Sequence, residues 1–193
     1  MVGLYSDGEL IVSLDSDLAA EKALKGGKEY SVEKLQELLS QSQLRRAKSK
    51  ALYLLNFRDY SSRDIAARLK KDFDVNSVDA AIEYLKEIGA TDDSRYAENM
   101  IRHLINQKHY GRRRIFQELA AKGIDRDTAE QALENFSIDE QSAITELLNE
   151  KFSRDLGDDR GIRRTIATLQ RYGYEMGDIM CALREYASSL EDN

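Results

Sequence analysis

Residues fifty positions apart in this chain share their chemistry, and that period constrains its fold more than any other feature. Adding fifty to Ile65 and Leu69 gives Ile115 and Leu119, and the same step carries Leu119 to Leu169, Gly123 to Gly173, Ala129 to Ile179, Ala132 to Ala182 and Leu133 to Leu183. Arg63, Arg113 and Arg163 fall in one phase, and Arg114 corresponds to Arg164. In the first group the later apolar residues Val78, Ala81, Ile82 and Leu85 align with Ala129, Ala132, Leu133 and Phe136 only after one further residue. A period of this length marks tandem supersecondary units, so the chain is read as three divergent helical repeats.

Each repeat reads as three helices, at about 41–57, 61–72 and 75–88, then 92–107, 111–122 and 125–136, then 138–155, 159–172 and 175–189. Apolar residues return to one side in the longest of them, with Ala97, Met100, Ile101 and Leu104 forming one stripe and Ile144, Leu147, Leu148 and Phe152 another. Ser61 is placed to cap the second helix of the first repeat. Gly89, Gly123 and Gly173 stand at expected stops, where a left-handed residue ends a helix. The chain has no proline or tryptophan and is rich in leucine, alanine, glutamate, lysine and arginine, a mixture that favours helix. An all-α body follows. Each unit can bury its own stripe and then join its neighbour, which gives an elongated body, with a tight bundle as the alternative.

Ahead of the repeats, "ELIVSL" alternates as a strand does, placing Leu10, Val12 and Leu14 on one face, and "SDG" before it suits a hairpin. From Ser31, a candidate cap, "SVEKLQELL" changes to helical spacing. The expected organisation is a cap segment over 1–40, with a small strand or hairpin plus helix, and repeats over 41–89, 90–136 and 137–193.

The formal net charge is −6, yet residues 41–59 carry +4 and residues 101–122 carry +5. Overall acidity argues against indiscriminate coating of nucleic acid, while local basic islands can still steer an anionic partner. The sharpest island is "GRRR", in which Gly111 precedes Arg112, Arg113 and Arg114 ahead of an apolar helical pattern. Successive helical residues turn by about 100°, so the three guanidinium groups fan out. With Ile115, Phe116 and Leu119 inward, Arg113 points to solvent, Arg114 is placed to pair with Glu118, and Arg112 lies over the apolar edge. Cations at a helix start oppose the dipole by roughly 0.3–1 kcal/mol each, which a carboxylate or phosphate could offset. A solvated helix face is the alternative reading.

The remaining contact candidates are Lys108 and Lys122, which bracket that helix; Arg163, Arg164 and Arg171 in the third repeat; and Arg45, Arg46, Lys48, Lys50, Arg58 and Arg63 in the first. They are expected to form a discontinuous stripe on a concave face. The chain has no GxxxxGK[ST] loop and no G-x-G-x-x-G fingerprint. His103 and His109, six residues apart, would lie on different faces of a helix, and Asp92 with Asp93 suits a helix start better than acid–base catalysis. No enzyme activity, cofactor or metal is therefore expected. Tyr96 is expected to pack near that start, His103 at a helix flank, and His109 in a turn or at an interface. The single Cys181 is read as a small buried side chain, which with the lack of a leader or an 18-residue apolar run indicates a cytoplasmic protein.

Three stretches together resemble the RecX family of bacterial regulators: "ALYLLNFRDYSSRDIAARL" at 51–69, "TDDSRYAENMIRHL" at 91–104 and "GRRRIFQELAAKGI" at 111–124. The last is the most specific, combining Gly111, Ile115, Glu118, Leu119, Lys122, Gly123 and Ile124 in the family's spacing. The resemblance spans roughly 48–187, with 1–40 similar to a variable leading segment. The third repeat keeps Leu169 and Gly173 but has Tyr172 and Tyr174 where a basic residue and often phenylalanine are expected. The resemblance implies an elongated crescent of three-helix repeats that binds RecA and the RecA–single-stranded DNA filament as a monomer and limits recombinase activity. A weak, salt-sensitive DNA contact would accompany this. The alternative is a sequence-specific or structure-specific DNA-binding protein, against which stands the spread of basic residues over all three repeats instead of one recognition helix.

Overall fold

The computed structural model describes residues 1–191, so the last two positions of the third expected repeat lie outside the described residues. The chain divides into two compact units, Met1–Asp92 and the residues from Asp93 onward.

In the first unit, β1 (Val2–Ser6) and β2 (Glu9–Leu14) form an antiparallel hairpin, with Val2 opposite Leu14 and Leu4 opposite Val12. Leu14 is fully buried at its end. A short helix that the sequence pattern did not suggest, α1 (Ser16–Glu21), follows directly, because the Asp15 carboxylate accepts from the N–H groups of Asp17 and Leu18. The expected break near residue 40 is absent. Helix α2 runs unbroken over Val32–Leu55 from its Ser31 cap, since nothing between those residues lacks helical propensity or an N–H. Asp15 also donates its N–H to the Ser42 hydroxyl at 2.7 Å, fastening the hairpin to α2.

Helices α3 (Ser62–Leu69) and α4 (Val75–Glu87) complete the first repeat. Ala47 and Ala51 on α2 are fully buried, and their small side chains let Val78, Ala81, Ile82 and Leu85 of α4 approach closely while Ile65 and Leu69 of α3 close the core. Ser61 caps α3 as expected, accepting from the Asp64 N–H.

The second unit contains α5 (Asp93–Lys108), α6 (Arg112–Ala121) and α7 (Arg126–Glu134), then α8 (Glu140–Leu147), α9 (Asp159–Tyr172) and α10 (Met176–Glu191). Ala97, Ile101 and Leu104 of α5 bury against Ile115, Leu119, Ala129, Ala132 and Leu133, with Tyr96 packed at the margin. Ile144, Leu147 and Leu148 bury against Leu169, Tyr174, Ile179 and Ala182. The helix read over 138–155 is instead α8 followed by a π turn at Leu148–Phe152 and a 3-10 turn at Ser153–Asp155. Each repeat therefore has a core of its own, and the fifty-residue phase is visible in it: Ile65, Ile115 and Thr165 are all buried, as are Leu69, Leu119 and Leu169.

Gly89, Gly123 and Gly173 take positive φ angles at the expected helix stops. Two side-chain expectations fail as well. Cys181 is exposed, because α10 turns Ile179 and Ala182 inward and leaves the intervening positions outside; its Sγ lies 3.6 Å from the Glu185 carboxylate. His103 is exposed on α5 and does not pack against a flank. Among the described residues no helix is long and apolar enough to cross a membrane.

Candidate functional site

The three arginines after Gly111 begin α6, a helix with no acidic residue in its first turn and no side-chain cap of its own. Gly111 cannot be replaced by a capping serine without cost, because a Cβ there would sit 2.9 Å from Tyr174 Cδ1 and 3.0 Å from the Gly173 carbonyl. The missing anion comes from the third repeat. A Glu140 carboxylate oxygen accepts the Arg112 N–H at 2.6 Å, putting negative charge at the positive end of α6.

The same helix start meets the far end of α9. Gly111 donates its N–H to the Tyr172 carbonyl at 2.8 Å, and the Arg113 guanidinium donates to the Gln170 carbonyl at 3.0 Å. The open Tyr172 carbonyl at the C-terminus of α9 thus finds a donor just ahead of α6, and the Gln170 carbonyl, which already accepts the Gly173 N–H, gains a second donor from it. Gly173 ends α9 in the left-handed region at φ 98°, and a Cβ there would collide with the backbone nitrogen of Arg114. Tyr174 then turns inward, is fully buried, and donates its hydroxyl to the His109 carbonyl at 2.9 Å. Burial pushes its phenol well above the usual tyrosine range, with the Glu140 carboxylate adding to the shift. His109 is the turn residue expected, at φ 53°. Tyr172 packs against Tyr110 with ring centroids 5.6 Å apart.

Arg114 pairs with Glu118 at 2.6 Å, as the spacing implied, and its guanidinium lies 5.5 Å from the Tyr110 ring centre. Arg113 is exposed, as expected, but also ties two helices together. Arg112 is exposed and lines a groove of about 900 Å³ with an apolar floor of Phe116, Leu133 and Ile138. That groove is not a basic surface. Glu130, Glu134, Asp139, Glu140, Glu175 and Asp178 line it against Arg112, Arg113 and Arg126. Asp139 is held below the usual carboxylate range by the N–H and hydroxyl of Ser142.

Lys108 ends α5 and Lys122 follows α6, both beside the arginine turn in sequence. On α9, Arg171 sits in the last turn near the junction and donates to the Thr168 hydroxyl at 3.0 Å. Arg163 and Arg164 are toward the opposite end of α9, about 10 Å of helix rise away. Arg163 donates to the Asp159 carbonyl at 3.2 Å, and Arg164 lies 3.6 Å from Asp155.

In the first unit, Arg45 pairs with Glu21 at 3.1 Å and Lys50 with Asp72. Arg46 lies over the Phe73 ring, Lys48 over Tyr84, and Arg58 over Tyr60, the last at 4.5 Å. Arg63 is exposed on α3 and lines a shallow groove that also holds Asp79, Glu83 and Lys86. The structural roles of Glu140, Gln170 and Tyr174 were missed by sequence reasoning. Gly173 was visible as a helix stop, but no local pattern marks the residues that meet it.

Residues 47–85 match the description "RecX, first three-helix domain", and residues 92–133 match "RecX, second three-helix domain". The regulatory protein RecX of Clostridioides difficile is 30% identical over 138 residues, covering 72% of this chain and 65% of that protein, so this chain spans just under two thirds of that relative's length. The regulatory protein RecX of Clostridium acetobutylicum is 29% identical over 97% of this chain and 90% of its own. A crystal structure of regulatory protein RecX superposes with a TM-score of 0.72 at 22% identity, covering 94% of this chain and 92% of that one. The structure of RecX from Lactobacillus salivarius gives 0.66 at 21% identity over 74% of this chain and 96% of that one, and both likenesses speak to the fold. With two matched domains in tandem, a relative aligned along nearly the whole chain, and a core that repeats in the same register, this chain belongs to the RecX family.

Proposed function

We propose that the chain is a non-enzymatic regulator that binds RecA and its nucleoprotein filament, spans neighbouring subunits in the filament groove, and limits recombinase activity. Relatives along its length are named regulatory protein RecX. The structural observation that carries the reading is the recurrence of one exposed arginine, Arg63, Arg113 and Arg163, on the second helix of each repeat, two residues before the buried Ile65, Ile115 and Thr165. Three separate cores hold those positions.

Repeated weak contacts within one chain favour an assembled array of identical subunits over a single subunit, because each later contact forms at high effective concentration. Arginine suits this role, since its planar fork binds carboxylates two bonds at a time. Occupying the groove would obstruct a second DNA strand or alter subunit addition. DNA is a secondary contact through phosphates, without base discrimination and weakened by salt. ATP turnover in a mixture belongs to RecA. The protein acts as a monomer in the cytoplasm.

The test compares binding to free RecA, to bare single-stranded DNA and to ATP-loaded RecA filaments at one ionic strength. Tightest binding to the filament is expected. Strong binding to bare DNA alone would overturn the assignment, and ATP hydrolysis by the isolated chain would overturn its non-enzymatic character.

A further inference from the structure

Near the end of α2, Tyr53 is 61% exposed, and Phe57, just beyond the helix, is 69% exposed. Their rings meet edge to face with centroids 4.9 Å apart. Packing does not account for them. The positions in phase with them in the second repeat are His103 and Gln107, both exposed, and in the third Ser153 and Gly157. That phase is anchored on both sides by buried pairs, Ala47 with Ala97 and Ala51 with Ile101 before it, Ile65 with Ile115 after it. The three-helix unit therefore closes equally well with an imidazole, an amide, a hydroxyl or no side chain at these places. Two aromatic rings held in water forgo the burial free energy that such side chains normally supply.

Their surroundings indicate what would cover them. Arg46, Lys50 and Tyr53 follow one another at helical spacings of four and three, so they share a face of α2. Arg58 comes directly after Phe57. Residues 41–59 hold five cations, Arg45, Arg46, Lys48, Lys50 and Arg58, and one carboxylate, Asp59. Lys50 already pairs with Asp72 at a part-exposed position, where a phosphate can take the carboxylate's place. Open ring faces beside a row of cations suit a single strand, whose bases stack on any π face while its phosphates follow the positive charge. A duplex keeps its base faces stacked inside. A protein partner would call for a broader apolar core. Here Ser49, Asn56, Arg58 and Asp59, all exposed, flank the two rings in sequence, and Leu52 alone adds exposed apolar surface beside them.

We propose that Tyr53 and Phe57 form a base-stacking step for single-stranded nucleic acid, with Arg46, Lys50 and Arg58 receiving its phosphates. The step deepens the secondary DNA contact proposed above, and its strand comparison is made without RecA.

The test measures the full chain against a fluorescent oligothymidine and an abasic strand of equal length and charge, over a range of salt. The wild-type chain should bind the oligothymidine at least about fivefold more tightly than the abasic strand. The paired change Tyr53→Ser and Phe57→Ser should remove that preference and leave the salt dependence unaltered. Both side chains are exposed, so circular dichroism should be unchanged. Equal affinity of the wild-type chain for the two strands, binding to neither, or a preference retained by the double variant would overturn the proposal. So would loss of RecA-filament binding by the double variant with its oligothymidine preference intact, since that result would make the rings a protein contact.

Discussion

The hydroxyl of Tyr174 donates to the carbonyl of His109 across 2.9 Å, joining residues 65 apart in the chain. Around that bond the start of α6 donates to the end of α9, Gly111 to Tyr172 and Arg113 to Gln170, while Arg112 donates its N–H to Glu140 of α8. The arginine run that reads as a partner-contact surface is thus also a joint between repeats.

Replacing Tyr174 with phenylalanine keeps the buried ring and deletes the donor. The loss should be about 0.5–1.5 kcal/mol, read as a lower thermal midpoint by circular dichroism. A pH effect accompanies it. The folded phenol is raised above its unfolded value, so its contribution is complete below about pH 10 and is lost as pH climbs toward the folded value. Wild-type stability should fall in that alkaline range, and the phenylalanine variant should lose this part of the slope.

Gly89 and Gly173 both have left-handed backbone, but only Gly173 is crowded, since a Cβ there would collide with the Arg114 backbone. Gly89→Ala should cost about 1–2 kcal/mol from backbone strain alone. Gly173→Ala adds a steric clash worth roughly 1–3 kcal/mol and should be clearly the worse in urea titrations. Equal costs would mean that the joint yields easily.

Thr165 is buried in the phase that holds Ile65 and Ile115, and its hydroxyl has no hydrogen-bond partner. Thr165→Val keeps the shape and removes an unsatisfied polar group, so it should stabilise the chain by about 1–3 kcal/mol. A destabilised variant in chemical denaturation would show that the hydroxyl is satisfied in solution.

Arg112→Ala and Arg113→Ala separate binding from architecture. The Arg112 side chain is exposed and its removal should change stability by less than about 0.5 kcal/mol while weakening filament binding. Arg113→Ala should weaken binding and also lower stability by up to about 1 kcal/mol, because the Gln170 carbonyl loses one of its two donors and keeps only the Gly173 N–H. Parallel denaturation and filament-binding titrations check both.

The cores were legible because a buried position imposes apolar chemistry each time the unit recurs. Ile65 with Ile115, and Leu69 with Leu119 and Leu169, therefore align by residue type alone. The Ser61 and Ser31 caps were readable for a related reason, since cap and helix are adjacent in sequence. Glu140 was not readable as the cap of α6. It acts from 28 residues away, and a lone carboxylate has no periodicity to betray its target. Cys181 misled because "IMCAL" is apolar along the chain, whereas a helix distributes those neighbours around its circumference. The acidic lining opposite Arg112 and Arg113 was hidden by reading charge in consecutive segments, when the groove assembles α6, α7, α8 and α10.

The borrowed cap on α6 bears on how the chain is made. The second repeat leaves the ribosome with the first turn of α6 lacking its carboxylate and with the Arg113 side chain lacking an acceptor that is synthesised 57 residues later. The repeat can close its own core at once, but these two bonds are completed only when the last third of the polypeptide has emerged, so the finishing contacts run backward, from newly made residues to older ones.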